Sequence, residues 1–381
     1  MINPDRLIKL TQKLIRINSE NPPGRELECA RFIEKDMRSC GLDVKTYTFE
    51  KGRPNIVATL KGSWPRKKAA QEAILITPHF DTVPLGKGWT QDPLGGKIIG
   101  SKIYGRGTSD DKGNAAVCME VIRSMKEDRR PLKRDLIMGA TVDEETGSHA
   151  GIIPLLARRL LKPASACIVD SDEYDTIIAQ KGLFHSRVRI YGKKAHGAYN
   201  WRGVNAIEAA ARVIAKLKKL KFRYRKHKYL HGPTVNIGTI QGGDKVNMVA
   251  DFCEFSLDTR FAVGMKSQDV IRAVKKVIAS EADKFELIID DLQQPYEIDP
   301  RHPLVKTYVD SARRMGIRAT LKGSEGATVI SFFKKYGIPA FATGFGSHGT
   351  AHTNDEFADV RILKKGARLL EQYLRDYDEA G

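Results

Sequence analysis

Short runs rich in Val, Ile and Leu alternate with longer segments of helical periodicity along this chain, and that alternation limits the folds open to it more than any other feature. Leu7, Leu10, Leu14 and Ile15 recur at helical spacing until Asn21-Pro22-Pro23-Gly24 breaks the pattern. Ala30, Ile33 and Met37 mark a second helix closed by Gly41. Apolar runs over 55–60, 73–77, 136–142 and 166–169 then punctuate helices expected over 114–125 and near 152–161. A strand alternating with a helix in this way predicts an α/β domain with a central, mostly parallel sheet wrapped by helices.

Around Lys181-Gly182 the style changes. A strand over 183–191, a helix over 204–220, strands over 234–240 and 252–260 and a further helix read as a small α+β domain with an antiparallel, ferredoxin-like sheet. Ile207, Ala210, Ile214 and Leu217 form the expected inward stripe of its first helix. From about Pro295 the α/β pattern resumes, with helices near 304–315 and 327–336, a strand over 340–343 and a last helix reaching Tyr377. The expected organisation is a split domain, 1–182 and 294–381, with 183–293 inserted as a lid or dimerisation domain.

The chain has 381 residues, enough for two domains with sizeable cores at roughly 150 residues each. No apolar run approaches the ~20 residues needed to span a bilayer. Met1-Ile2-Asn3-Pro4-Asp5-Arg6 lacks the basic-then-apolar layout of a secretory signal, so the expected address is the cytoplasm. Cys29, Cys40, Cys118, Cys167 and Cys253 include no C-x-x-C pair and read as free, largely buried thiols. Lys and Arg total 64 against 46 Asp and Glu, a net charge of +18 that admits nucleic acid, anionic lipid or an acidic small substrate. The basic residues are scattered. In the densest stretch, Lys216 to Lys228, Phe222 and Tyr224 alternate with cations as a base-stacking surface would. A solvated helix end and turn accounts for it better, and neither nucleic acid nor membrane is the expected partner.

Ligands of open α/β sheets gather outside the carboxyl ends of the strands, so the residues that terminate the apolar runs matter most. Here they are acids and imidazoles. The 73–77 run leads into His79 and Asp81, the 136–142 run into Asp143-Glu144-Glu145, and the 166–169 run into Asp170; the 340–343 run leads to a Gly-rich loop holding His348 and His352. Asp110-Asp111 opens the helix after Gly105-Arg106-Gly107. Singly, each has a plain explanation as a helix cap, a surface charge or a core histidine. Converging on one sheet edge, they would repel or desolvate one another unless cations neutralised them. Oxygen and nitrogen donors without thiolates suit zinc, cobalt or manganese, and this many carboxylates suit two ions sharing an aspartate.

Four segments, in order, carry a resemblance: His79-Phe80-Asp81-Thr82-Val83-Pro84, Tyr104-Gly105-Arg106-Gly107-Thr108-Ser109-Asp110-Asp111-Lys112-Gly113, Asp143-Glu144-Glu145-Thr146-Gly147 and His352-Thr353-Asn354-Asp355-Glu356. Together they resemble the di-zinc amidohydrolases and exopeptidases that include acetylornithine deacetylase, succinyl-diaminopimelate desuccinylase, aminoacylase, glutamate carboxypeptidase and carnosinase-type dipeptidases. The resemblance covers nearly the whole chain. It implies His79 and Asp170 as ligands of one ion, with Asp172 an alternative to Asp170, since many relatives carry Glu there. It implies Glu145 and His352 as ligands of the other ion, Asp110 as the shared carboxylate, and Asp81 as the residue that fixes the His79 tautomer. His348 is the weaker candidate beside His352, and Asp111 reads as a helix-start acid. Glu144 corresponds to the general base that takes a proton from a water shared by the ions. His196, in Ala195-His196-Gly197, resembles a histidine donated to a partner subunit's site across a homodimer. Asn247 and Arg260 resemble residues that grip a substrate carboxylate, and Gly326 belongs to a Gly-rich substrate loop. Gly323-Ser324-Glu325-Gly326 and Ala250 depart from common family patterns, which leaves substrate identity open.

The expected activity is metal-dependent hydrolysis of the amide bond of an N-acyl amino acid, as by acetylornithine deacetylase or succinyl-diaminopimelate desuccinylase. A dipeptidase or carboxypeptidase of the same family is the alternative. Outside it stand a basic nucleic-acid-binding protein, which would lose affinity steeply with salt, and a relative that binds ligand without turnover, against which the intact Glu144 argues.

Overall fold

The computed structural model describes residues 1–128 and 130–380. Two compact units are present, and the first is discontinuous in sequence: Met1–Ile178, Ile298–Lys322 and the chain from Phe332 onward. Its sheet runs in the order Asp43–Glu50, Arg53–Leu60, Leu136–Ala140, Ile74–Thr77, Ser165–Glu173, Ala340–Gly344, Asp175–Gln180. The four strands from Leu136–Ala140 to Ala340–Gly344 are mutually parallel, and the flanking strands pair antiparallel. The unit is thus α/β with a mostly parallel centre, and the runs 74–76, 136–140, 166–169 and 340–342 of its central strands are apolar because both faces are covered.

Local rules set the helices. Asn3 accepts the Asp5 and Arg6 amides, and Pro4 supplies a preset first helical residue, which starts the helix Pro4–Arg16. Arg6 then forks onto fully buried Glu120 of the helix Lys112–Glu127, at 2.6 and 3.0 Å. Beneath the strand Ala340–Gly344, Tyr308, Phe341 and Tyr373 stack edge-to-face or tilted at 5.2–5.8 Å, and the Tyr308 hydroxyl bonds Thr343 Oγ1 at 2.6 Å. That packing anchors the strand whose end leads to His348 and His352.

The second unit comprises Ala179–Glu297 and Gly323–Ser331. It folds as strand Gly182–Tyr191, helix Ala206–Leu217, strands Thr234–Gly242 and Phe252–Phe261, helix Ser267–Ala279 and strand Phe285–Gln293. The sheet is antiparallel, with Thr234–Gly242 on one edge and Phe285–Gln293 on the other. The inward face of its first helix differs from expectation. Ala206, Ala209, Ala210, Val213 and Leu217 are buried, whereas Ile207 is exposed and Ile214 only partly covered. Both sets repeat at helical spacing; the small alanines let the helix lie close to the sheet and push the larger isoleucines to its flank. Two helices are shorter than their patterns, Ile152–Ala157 and Ile330–Lys334. The first stops where Arg159 turns to a φ of +56°. All five cysteines are free and four are buried, Cys40 being the half-buried one. The basic stretch after Leu217 is irregular and mostly exposed. Among the described residues no helix is long and apolar enough to cross a membrane.

Candidate metal centre

The parallel strands of the first unit deliver their chemistry to one sheet edge. His79 stands two residues past Ile74–Thr77, where its amide donates to Asp111 Oδ2 at 3.0 Å and the Phe80 amide to Thr141 O. Glu144 and Glu145 follow Leu136–Ala140 through Asp143, whose φ is +67°. Asp110 precedes the helix Lys112–Glu127 across a cis Asp110–Asp111 peptide. Asp170 lies where the pairing of Ser165–Glu173 with Ala340–Gly344 breaks register between Val169 and Glu173. Gly344 permits that break, because a Cβ there would collide with Ser171 O. His352 sits in the last loop with a φ of +62°.

These side chains meet. Asp110 Oδ1 is 2.9 Å from His79 Nε2, and its Oδ2 is 3.0 Å from His352 Nε2. His79, Asp110, Asp111 and Asp170 offer donor atoms that all lie within 4.8 Å of one another; Asp110, Glu145 and His352 do the same, and Asp110 belongs to both groups. Behind His79, Asp81 presents Oδ1 at 3.3 Å and its carbonyl at 3.1 Å to Nδ1. Asp81 also accepts the Glu144 and Glu145 amides, at 3.2 and 3.1 Å. One buried carboxylate therefore holds a histidine and an acidic turn together.

The electrostatics call for cations. Burial pushes Glu144 well above the usual carboxylate range, and neighbouring Asp170, Glu145 and Asp110 add to it against the nearby His79. Burial likewise pushes Asp170 up to about 7. The carboxylates of Asp110 and Glu145, 3.0 and 3.3 Å from its Nε2, raise His352 to about 10. For His79, burial alone would lower the pKa, but Asp110 and Asp81 outweigh it and raise it well above 6.5. Asp110 is held below the usual range by the same two imidazoles despite its burial. Protons on histidine thus stand where divalent cations would. Glu145 Oε1 is buried without a well-aligned hydrogen bond, although His352 Nε2 lies 3.3 Å away. An orphaned carboxylate oxygen and an all-nitrogen-and-oxygen donor set fit two hard or borderline ions.

The remaining candidates fall elsewhere. Asp172 stands apart from the two donor groups and pairs with His348 at 3.2 Å. Asp111 occupies the helix start but makes no capping bond; Oδ1 accepts Asn114 Nδ2 at 2.6 Å, and its other oxygen takes the His79 amide. In the second unit, exposed His196 and Asn247 are neighbours, the Gly197 amide donating to Asn247 O at 2.8 Å. His196 Nδ1 accepts the Ala198 amide. Arg260 forks onto Asp258, with Nη1 buried and unpaired. Gly326 is exposed, its carbonyl accepting Ser324 Oγ.

Two supports escape sequence reasoning. Asn21, read there only as a helix break, donates to Asp81 Oδ2 at 2.9 Å. Fully buried Glu356 accepts the Gly107, Ser109 and Asp110 amides on one oxygen and Arg106 Nη1 on the other, at 2.7–3.2 Å. Its place in the last motif is the only signal that marks it. Glu356→Ala strands a buried guanidinium and three amides, so urea denaturation should show a loss of about 3–5 kcal/mol. A loss under about 1 kcal/mol would mean that water replaces the carboxylate there.

Known proteins resemble this chain in both sequence and fold. Residues 75–376 match the model of peptidase family M20/M25/M40. Over 315 residues, 80% of each chain, the sequence is 32% identical to acetylornithine deacetylase from Klebsiella pneumoniae (strain 342). The fold is similar to aminopeptidase PepT from Bacillus cereus ATCC 10987, with a TM-score of 0.81 and 25% identity over 99% of both chains. It is also similar to YXEP from Bacillus subtilis, described as a dinuclear metal-binding M20 peptidase, with a TM-score of 0.74 and 18% identity over 98% and 97% of the chains. Two donor groups that share Asp110 at the sheet edge and a family match over most of the length lead to one conclusion: this chain belongs to peptidase family M20/M25/M40, the metal-dependent hydrolases of amide and peptide bonds.

Proposed function

We propose that the protein hydrolyses the amide bond of an N-acyl amino acid, in the manner of acetylornithine deacetylase or succinyl-diaminopimelate desuccinylase. The observation that carries this reading is Asp110 shared between two donor groups, with Glu144 next to a member of one of them. In it, His79 and Asp170 would hold one zinc ion and Glu145 and His352 a second, with Asp110 common to the two donor groups. When bound, such ions polarise a carbonyl and lower the pKa of water from 15.7 toward about 7. Glu144 takes the proton of the attacking water and returns it to the departing amine. Its carboxylate suits the task because the turn that carries it hangs on Asp81 through two amides. Asp81 keeps His79 in the tautomer whose Nε2 faces the site. Arg260, Asn247 and Gly326 form the substrate-binding set, and the forked guanidinium suits a free carboxylate.

The inserted unit serves as lid and dimerisation module, from which His196 is donated to the partner subunit's site. Exposed Ile207, Ile240, Val246 and Phe252 on that unit, beside the unpaired edge of Thr234–Gly242, support a homodimer. Five free thiols suit a cytoplasmic address. A peptidase reading stands second, because the aminopeptidase from Bacillus cereus matches the fold over 99% of both chains. The test is to strip the protein with a chelator, restore zinc, cobalt or manganese separately, and screen N-acetyl and N-succinyl amino acids against di- and tripeptides. Turnover confined to peptides would favour the second reading. Chelator-insensitive turnover would remove the metal from both.

Metal uptake should release protons. At pH 7 the metal-free His352, raised to about 10 by Asp110 and Glu145, is protonated, and Asp110 and Asp81 favour the proton on His79 as well. A ligating imidazole must be neutral on that nitrogen. Affinity should therefore fall as pH is lowered, by about tenfold per pH unit for each proton displaced. Calorimetry in buffers of different ionisation enthalpy reads the count directly. In the metal-free protein the sign is opposite: the raised His352 pKa contributes stability that is full below 6.5 and lost as pH rises through about 10.

A further inference from the structure

We infer that Asn21 is a positioning residue that links the two metal sites, so that the outer support of one is also the support of the other; this rests on the metal-centre reading above. Asn21 is 3% exposed and pinned through its own amide, which donates to Thr82 O at 2.8 Å. Both hydrogens of its side-chain amide are engaged. One goes to Asp81 Oδ2 at 2.9 Å and the other to Thr146 Oγ1 at 2.8 Å. Thr146 passes its hydroxyl hydrogen on to Asp143 Oδ1 at 2.5 Å. Asp81 is the carboxylate behind His79, whereas Asp143 and Thr146 bracket Glu144 and Glu145 on a turn that starts from a left-handed backbone.

The turn therefore has two tethers to the same aspartate. One is direct, through the Glu144 and Glu145 amides, and one passes through Asn21. Arg53 completes the frame by bridging buried Glu26 at 2.6 Å and Asp143 at 2.9 Å. A group that touched only one ligand loop would adjust one site. Asn21 touches the supports of both, so its loss should weaken both ions together, as outer-shell partners orient ligands and set their basicity.

The test uses the full chain, stripped and titrated with Co²⁺ alone, followed by calorimetry and by visible absorption. Wild type should take up two equivalents. Asn21→Ala and Thr146→Val should each weaken both equivalents by about 10–100-fold and shift the cobalt bands, while Thr146→Ser, which keeps the hydroxyl, stays within about threefold of wild type. If Asn21→Ala does not fold, the Thr146 pair decides. The inference is overturned if Asn21→Ala or Thr146→Val leaves both affinities and the spectrum unchanged, weakens one equivalent alone, or if Thr146→Ser behaves as Thr146→Val. Failure of wild type to bind two equivalents would instead overturn the parent reading.

Discussion

Glu144→Gln should leave uptake of both ions intact and lower kcat by about 10²–10⁴-fold, the range that a positioned acid–base group contributes. Glutamine keeps the size of the side chain and can still orient a water, but it cannot accept the proton. Metal binding survives because Glu144 is absent from both donor groups, whereas neighbouring Glu145 belongs to one. The amide tethers to Asp81 are backbone bonds and are unaffected. KM should therefore change little while kcat collapses, the pattern of an interaction made only in the transition state. Single-turnover kinetics on the metal-loaded variant, together with metal analysis after dialysis, separate this from a ligand defect. Turnover within tenfold of wild type would assign the proton transfer to another group.

The central sheet and the cluster of acids and imidazoles at its strand ends were legible in the sequence for the same reason: strand segments buried on both faces are apolar, so their ends are sharply marked, and the ends are where ligands gather. Edge strands lack that contrast. Asp43–Glu50 alternates with mostly exposed polar residues, and Phe285–Gln293 is half-exposed along its length, so neither stands out from loop. Asp170 and Asp172 show a different limit. Two apart on one strand, they would share a face in a regular ladder, and periodicity cannot choose between them. The register break after Val169 places Asp170 with His79 and Asp110, and leaves Asp172 to His348. Asn21 and Glu356 were illegible as supports because their partners lie 60 to 250 residues away, and a buried polar network has no local period. Ile207 misled because size was read as burial, whereas close helix–sheet packing selected alanine.

Asp110→Asn should be the most damaging single change at the centre. Each carboxylate oxygen faces a different imidazole, Oδ1 towards His79 and Oδ2 towards His352. Asparagine preserves the shape but removes the charge and turns one acceptor into a donor, so one side of the pair confronts an imidazole nitrogen with N–H. No other residue belongs to both donor groups, among the described residues. Both ions should therefore be lost together, by more than the roughly 10–100-fold of an outer-shell change. His352→Asn makes the informative contrast, since His352 belongs to one group alone and its loss should spare the ion at His79. Metal content after dialysis against a weak chelator distinguishes the two variants, with circular dichroism to confirm that each is folded. If Asp110→Asn retained one ion at wild-type affinity, the carboxylate would serve a single site, and the second ion would need a different anchor.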